Sequence, residues 1–375
     1  MKKNLLSGLV KSSGNPYAGN IKTCEIYKTK YYIDTGNYIL NACVSGDMFK
    51  GIPSGMIVQW TGEKSTGKSF ITSNMMLHHI KSGKNNLSIL FETEGALISD
   101  QILPHLSDDE QERFLIFPIT TIEDAKRQIN SLIEYLKSKK DEFKDVKILA
   151  TFDSIGMPAS EKEKEDSIKD KIPRDMTRAQ AIKSLFRTIV MDFAILKIPM
   201  NVVNHQYATM DQWNPKEESG GSGMAYSNSI TLELRKKKLK NDKKEQIGTA
   251  FTIIPKKSRI MAENISKIEI YSKFKVGMDR FSGCFEFLKN HNLSNQDRAN
   301  AAGGAYYRIP EMGFEIELKE LAKLTPEQFW TQDKLEYINE KFKDIYLLER
   351  SKLESNLADD VNNEVCVKKE KGKTK

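Results

Sequence analysis

The sequence predicts an α/β fold in which a mainly parallel, twisted sheet is covered by helices, with a short arm before it and a small domain after it. Two observations carry that prediction. From about residue 31 to residue 278, strand-like apolar runs alternate with amphipathic segments of helical period, the pattern of strands buried on both faces. The first long apolar run is followed at once by Gly62-Glu63-Lys64-Ser65-Thr66-Gly67-Lys68-Ser69, which matches GxxxxGK[ST] at every required position and opens a helix.

The elements follow in order. Residues 1–30 read as an arm: Leu5, Leu6, Leu9 and Val10 suit a turn or two of amphipathic helix, and Ser12-Ser13-Gly14-Asn15-Pro16 breaks it. Residues 31–280 form the core. Its strands are expected at 56–60, 87–91, 113–117, 147–152 and 199–203, with later antiparallel runs at 229–235, 250–254 and 267–273. Helices are expected from Gly67 to about Lys81, from a cap at Thr121 with Asp124, and from about Asp175 to Leu196. The last carries Ala179, Ile182, Leu185, Phe186, Ile189 and Val190 on one stripe. Residues 281–350 have enough aromatics and leucines for a small C-terminal domain, and 351–375 form a charged tail without aromatics, expected to be disordered.

Composition narrows the class. The chain has 375 residues, 39% hydrophobic and 29% charged, as a soluble protein with a core does. No run approaches the ~20 apolar residues of a membrane helix, and the N-terminus lacks a secretory signal, so a cytoplasmic protein without a membrane partner is expected. Cys24, Cys43, Cys284 and Cys366 are far apart, which suggests neither a disulfide framework nor a zinc site. The net charge of +7 favours a polyanionic partner. Its positive runs are Arg235–Lys240, Lys256-Lys257-Ser258-Arg259 and Lys368–Lys375.

The glycine-rich loop implies a nucleotide. Its glycines let successive N–H groups turn toward phosphate oxygens, and the following helix presents its positive end to them. Lys68 reaches the β- and γ-phosphates of ATP, and the Ser69 hydroxyl holds Mg²⁺. Asp153, ending the run 147–152, is the leading candidate to orient the Mg²⁺ water shell. Hydrolysis needs a group that orients or deprotonates water. Glu92 and Glu94 both follow the run 87–91 and, two residues apart, face one side of an extended chain; spacing does not choose between them.

Here the residues resemble a known family. The order GEKSTGKS, Phe91-Glu92-Thr93-Glu94-Gly95-Ala96, Thr151-Phe152-Asp153-Ser154 and Val203-Asn204-His205-Gln206 is similar to the core of RecA-family recombinases. So is the lead-in Ile33-Asp34-Thr35-Gly36, Ser45-Gly46-Asp47 and Gly51-Ile52-Pro53-Ser54-Gly55. Asp175-Met176-Thr177-Arg178-Ala179, Lys183-Ser184-Leu185-Phe186-Arg187 and Asn204-His205 resemble in particular the UvsX-type recombination proteins of phages. The resemblance implies a RecA-type P-loop ATPase core, with Glu94 as catalytic glutamate and Asp153 as the acid of the second nucleotide motif. Asn204 and His205 then sense the γ-phosphate, and Lys257, with Lys256 and Arg259 nearby, reaches the ATP of the adjacent subunit. Two departures stand out: Ile98-Ser99-Asp100-Gln101 offers no aromatic for the adenine, and the tail is basic where the family's is acidic.

The resemblance also makes 156–173 and 206–226 DNA loops on a filament axis, with a host-cytoplasm setting if phage-encoded. Gly220, Gly221 and Gly223 let backbone approach phosphates, Met224 or Met157 wedges between bases, and Arg178 and Arg187 contact phosphates. The implied activity is ATP-dependent filament assembly on single-stranded DNA, with pairing and strand exchange against double-stranded DNA in recombination, repair and recombination-dependent replication. Single-strand-binding and mediator proteins are the implied helpers. Rival readings are a replicative helicase of the same fold, an ATP-gated DNA-binding mediator without turnover, and a metabolic P-loop kinase. Arg235–Lys244 reads either as a second DNA-facing patch or as a solvated hairpin.

Overall fold

A computed structural model describes residues 3–95, 102–169, 176–208, 216–218, 224, 227–241, 243–261, 265–274, 276–296 and 305–346. The chain divides into two compact units, 1–35 with 52–235, and 36–51 with 236–375.

The first unit is built on parallel strands. They are β1 (Ile57–Thr61), β2 (Asn86–Glu92), β3 (Phe114–Pro118), β4 (Lys147–Asp153), β5 (Met200–Val203) and β6 (Ile230–Lys240). Spatially they run β6-β1-β5-β4-β2-β3, every pair parallel. Parallel neighbours require crossovers, which here contain the helices α1 (Lys68–Lys81), α2 (Ile122–Ser138) and α3 (Met176–Leu196). Side chains of β1, β4 and β5 are buried almost throughout, which is why these strands read as continuous apolar runs. Phe91 lies between Phe117 and Phe152, ring centroids 5.6 and 6.1 Å away. Ile129 and Ile133 of α2 and Ile182, Phe186 and Ile189 of α3 close the same core.

Local chemistry sets the boundaries. The Thr121 side chain accepts the Asp124 amide at 3.1 Å, the expected cap of α2. The segment 156–173, expected as a polar connection, contains a helix at Glu161–Ile168. Its capping box pairs Ser160 with Glu163, and it was missed because its residues are charged on all sides. Upstream, Lys197 donates to the carbonyls of Glu25, Ile26 and Lys28 at 2.5, 2.7 and 2.6 Å. This ties the end of the arm to the first unit. The arm begins with a helix, Lys3–Ser12, whose Leu5, Leu6 and Leu9 are exposed.

The second unit contains the far half of β6, β7 (Gln246–Ser258), β8 (Ile268–Lys273) and β9 (Gly277–Met278), antiparallel from β7 to β9. Within this unit the order is β9-β8-β7-β6. Strands β6 and β7 run well past the expected 229–235 and 250–254. Arg235–Lys238 are exposed on β6, so no alternation of polarity marks the strand there. Lys237 is held at 2.6 Å by Glu269 of β8. A helix at Tyr38–Ser45 was not expected, because Ile39–Val44 are all buried and leave no amphipathic period. It is anchored by Asn37, whose Oδ1 accepts the Leu40 amide at 2.9 Å and whose Nδ2 donates to the carbonyls of Asp279 and Ser282 at 2.9 and 3.0 Å. Asp47, just beyond, pairs with Lys343 at 2.9 Å on the helix Gln332–Tyr346. Phe285 stacks on Phe329 and meets Trp330 at a tilt, beside a three-stranded sheet formed by 295–296, 306–309 and 314–317.

Among the described residues no helix is long and apolar enough to cross a membrane. Replacing Asn37 by Ala removes the amide that donates to the Asp279 and Ser282 carbonyls and the oxygen that accepts the Leu40 amide. Asn37→Ala is expected to destabilise the second unit by about 2–4 kcal/mol, seen as accelerated amide exchange at 38–45 and 279–284. Unchanged exchange there contradicts the anchoring role.

Candidate functional site

The loop Gly62–Gly67 joins the carboxyl end of β1 to the first turn of α1. Two of its glycines are required by conformation. Gly67 caps α1 at φ +94, and Gly62 sits at φ +150 with a would-be Cβ only 2.5 Å from the Leu234 carbonyl oxygen. Glu63, Lys64 and Ser65 form the exposed tip, and Thr66 donates to the Glu63 carbonyl at 3.0 Å.

Lys68 turns back into this loop. Its Nζ donates to the carbonyls of Gly62 at 3.0 Å and Glu63 at 2.8 Å, and the residue is 3% exposed. Burial pushes its pKa down to about 8, against the opposing pull of Asp153 and Glu94.

Asp153 ends β4. Ser69 donates to it, yet its Oδ1 is buried and accepts no hydrogen bond among the described residues. Burial, with Glu94 and Glu92 nearby, pushes its carboxyl up to about 6 despite Ser69 and Lys68. A buried carboxylate oxygen left bare beside a serine hydroxyl is a donor set that suits a hard divalent cation. Ser69 and Asp153 are the residues that could hold one.

Beyond β2 the two glutamates part. Glu92 accepts the amides of Glu94 and Gly95, each at 3.0 Å, and so closes its own turn. Glu94 faces the other strand ends: its Oε1 accepts from Ser154 Oγ at 2.9 Å and lies 3.3 Å from His205 Nε2. Burial and then Lys68 lower the His205 pKa, opposed by Glu94. The segment carrying His205 is pinned to the loop, since the Asn204 amide donates to Trp60 O at 2.8 Å and the Gln206 amide to Gly62 O at 3.0 Å. The carboxyl ends of β1, β2, β4 and β5 thus bring Lys68, Glu94, Asp153 and His205 together, as open parallel sheets do at their ligand crevices.

Other expected residues fall elsewhere. Met224 is fully buried in the first unit's core. The Arg178 guanidinium donates to the Gly156 carbonyl and its Nε is buried, so it fastens the turn after β4. Arg187 is exposed on α3, and Met157 is exposed after β4. Lys257 lies on β7 in the second unit, half-buried between exposed Lys256 and Arg259, and burial followed by Arg259 lowers its pKa. Gly220, Gly221, Gly223 and the segment Ile98–Gln101 lie outside the described residues. Sequence reasoning missed Thr93 and Ser154. The only signal was their position inside motif runs already singled out for their acids.

No family model matches the chain. It is similar to the Recombination and repair protein of Enterobacteria phage T4, 27% identical over 283 residues, which cover 76% of this chain and 70% of that protein.

Two outcomes follow from the loop. Gly62→Ala drives a methyl into the Leu234 carbonyl and is expected to cost roughly 1–3 kcal/mol in urea denaturation; a neutral substitution contradicts the close approach. For Lys68, the folded pKa of about 8 lies below the ordinary 10.5. Between those values the unfolded chain holds a proton that the fold has released, so stability rises with pH across that window. Lys68→Met, which keeps the aliphatic stem, is expected to lose this rise in pH-dependent denaturation. An unaltered slope contradicts the depressed pKa.

Proposed function

We propose that the chain is an ATP-dependent recombinase that assembles on single-stranded DNA and exchanges strands with homologous double-stranded DNA in recombination and repair. The observation that carries this reading is the meeting of Lys68, Asp153, Glu94 and His205 at one sheet end. The likeness to a phage recombination and repair protein supports the biological setting.

The chemistry assigned to each group is that of phosphoryl transfer to water. The Gly62–Gly67 amides and the start of α1 receive the phosphates of ATP, and Lys68 exchanges the Gly62 and Glu63 carbonyls for β- and γ-oxygens. Ser69 and Asp153 would hold a Mg²⁺ ion, which would supply neutralisation of phosphate charge. Glu94 orients and deprotonates the attacking water. His205, on the segment pinned to Gly62, carries the state of the γ-phosphate to the hairpin 206–208 and 216–218.

In the filament, Lys257 of one subunit is assigned to the transition-state charge on a neighbour's ATP, so that assembly and turnover are coupled. The exposed Leu5, Leu6 and Leu9 suit an arm that docks on that neighbour. Arg187 and the glycines at 220, 221 and 223 are assigned to DNA backbone, and helper proteins of the single-strand-binding and mediator kinds are expected partners. Such sequence-independent contacts make DNA affinity fall steeply with salt.

Purified protein is tested for ATP hydrolysis with and without single-stranded DNA, and for joint molecules between homologous strands. Stimulated hydrolysis and joint molecules are expected. Glu94→Gln is expected to bind ATP and DNA while losing at least ~100-fold in kcat, and Lys68→Ala to lose ATP-dependent activity. Full strand exchange by Lys68→Ala overturns the reading. Unwinding from a free end points to a helicase, and DNA binding without turnover to a mediator.

A further inference from the structure

We propose that Ser154 is a positioning residue that fixes the orientation of the Glu94 carboxylate, an inference that rests on the function proposed above. A carboxylate that must aim one oxygen at a water needs its other oxygen held. Glu94 lies on the turn after β2 with its side chain about one-third exposed (32%), so its own backbone does not fix it.

Ser154 has the rigidity Glu94 lacks. It is fully buried, and one hydroxyl clamps its backbone on both sides. Thr93 Oγ1 accepts the Ser154 amide at 2.8 Å and donates to the Ser154 carbonyl at 2.9 Å. The Thr93 amide donates to Asp153 O at 3.1 Å, and the Ile155 amide to Val203 O at 3.0 Å. The peptides at 153–155 are therefore bonded to the ends of both flanking strands, and the Ser154 hydroxyl projects from them onto Glu94 Oε1 at 2.9 Å.

The same oxygen faces His205 Nε2 at 3.3 Å. Two donors converge on Oε1 from the far ends of β4 and β5, so Oε2 is the oxygen presented to water. Ser154 also directly follows Asp153, so the residue that fixes the base and the residue assigned to the cation share one peptide unit. Ser154 takes no part in the chemistry. It acts through Glu94, and the Thr93 clamp holds it in place.

The test compares Ser154→Ala with wild type and with Glu94→Gln, using single-turnover and steady-state hydrolysis on single-stranded DNA and binding of a fluorescent ATP analogue. Ser154→Ala is expected to lower kcat by roughly 10-fold, with analogue affinity and KM within about twofold of wild type, and Ser154→Thr to restore part of it. A second readout does not depend on turnover: the side-chain ¹⁵N signals of His205 should move in Ser154→Ala, because the donor sharing its acceptor oxygen is gone. Full kcat in Ser154→Ala while Glu94→Gln is inactive overturns the Ser154 role and leaves the recombinase reading standing. A wild type without hydrolysis defeats that reading instead, and the His205 signals then decide the geometry: unmoved signals overturn the shared-oxygen arrangement.

Discussion

A buried ammonium held by two backbone carbonyls organises this molecule. Lys68 has left solvent almost completely, and the carbonyls of Gly62 and Glu63 accept hydrogen bonds from its Nζ at 3.0 and 2.8 Å. A charge so placed is costly, and burial lowers its pKa to about 8 against the pull of Asp153 and Glu94. Two neutral carbonyls carry only partial negative charge, so the ammonium is better suited to an anion. Under the proposed function, arrival of a triphosphate relieves that mismatch, and part of the binding free energy comes from it.

The rest of the site follows from strand order. Four carboxyl ends lie side by side in the sheet order β1-β5-β4-β2, so residues distant in sequence meet without any long loop to carry them. Each is pinned by backbone: β5 to the loop through Asn204 and Gln206, and β4 to the turn after β2 through Thr93. The glutamates show how one element separates two roles. Glu92 spends its carboxylate on the turn's amides, and that turn delivers Glu94 to Ser154 and His205.

How much was legible in the sequence depended on whether burial left a pattern. The parallel strands were readable because both faces are buried, and α2 because Thr121 caps a stripe of Ile122, Ala125, Ile129 and Ile133. The outer half of β6 was not, since Arg235–Lys238 face solvent and hydropathy carries no strand signal there. The helix Tyr38–Ser45 escaped for the opposite reason, being buried from Ile39 to Val44 without a polar face. At the site, spacing named both glutamates without choosing, because the choice lies in which one accepts the turn's amides. The burial of Met224 in the core and the bond from Arg178 to the Gly156 carbonyl carry no sequence signal, because each depends on residues distant in the chain.

The most direct measurement is a structure of the chain with a non-hydrolysable ATP analogue and Mg²⁺ on single-stranded DNA. In it, Lys68 Nζ is expected to have left the Gly62 and Glu63 carbonyls and to lie within hydrogen-bond distance of β- and γ-phosphate oxygens. An analogue seated elsewhere, with Lys68 still on those two carbonyls, contradicts that expectation.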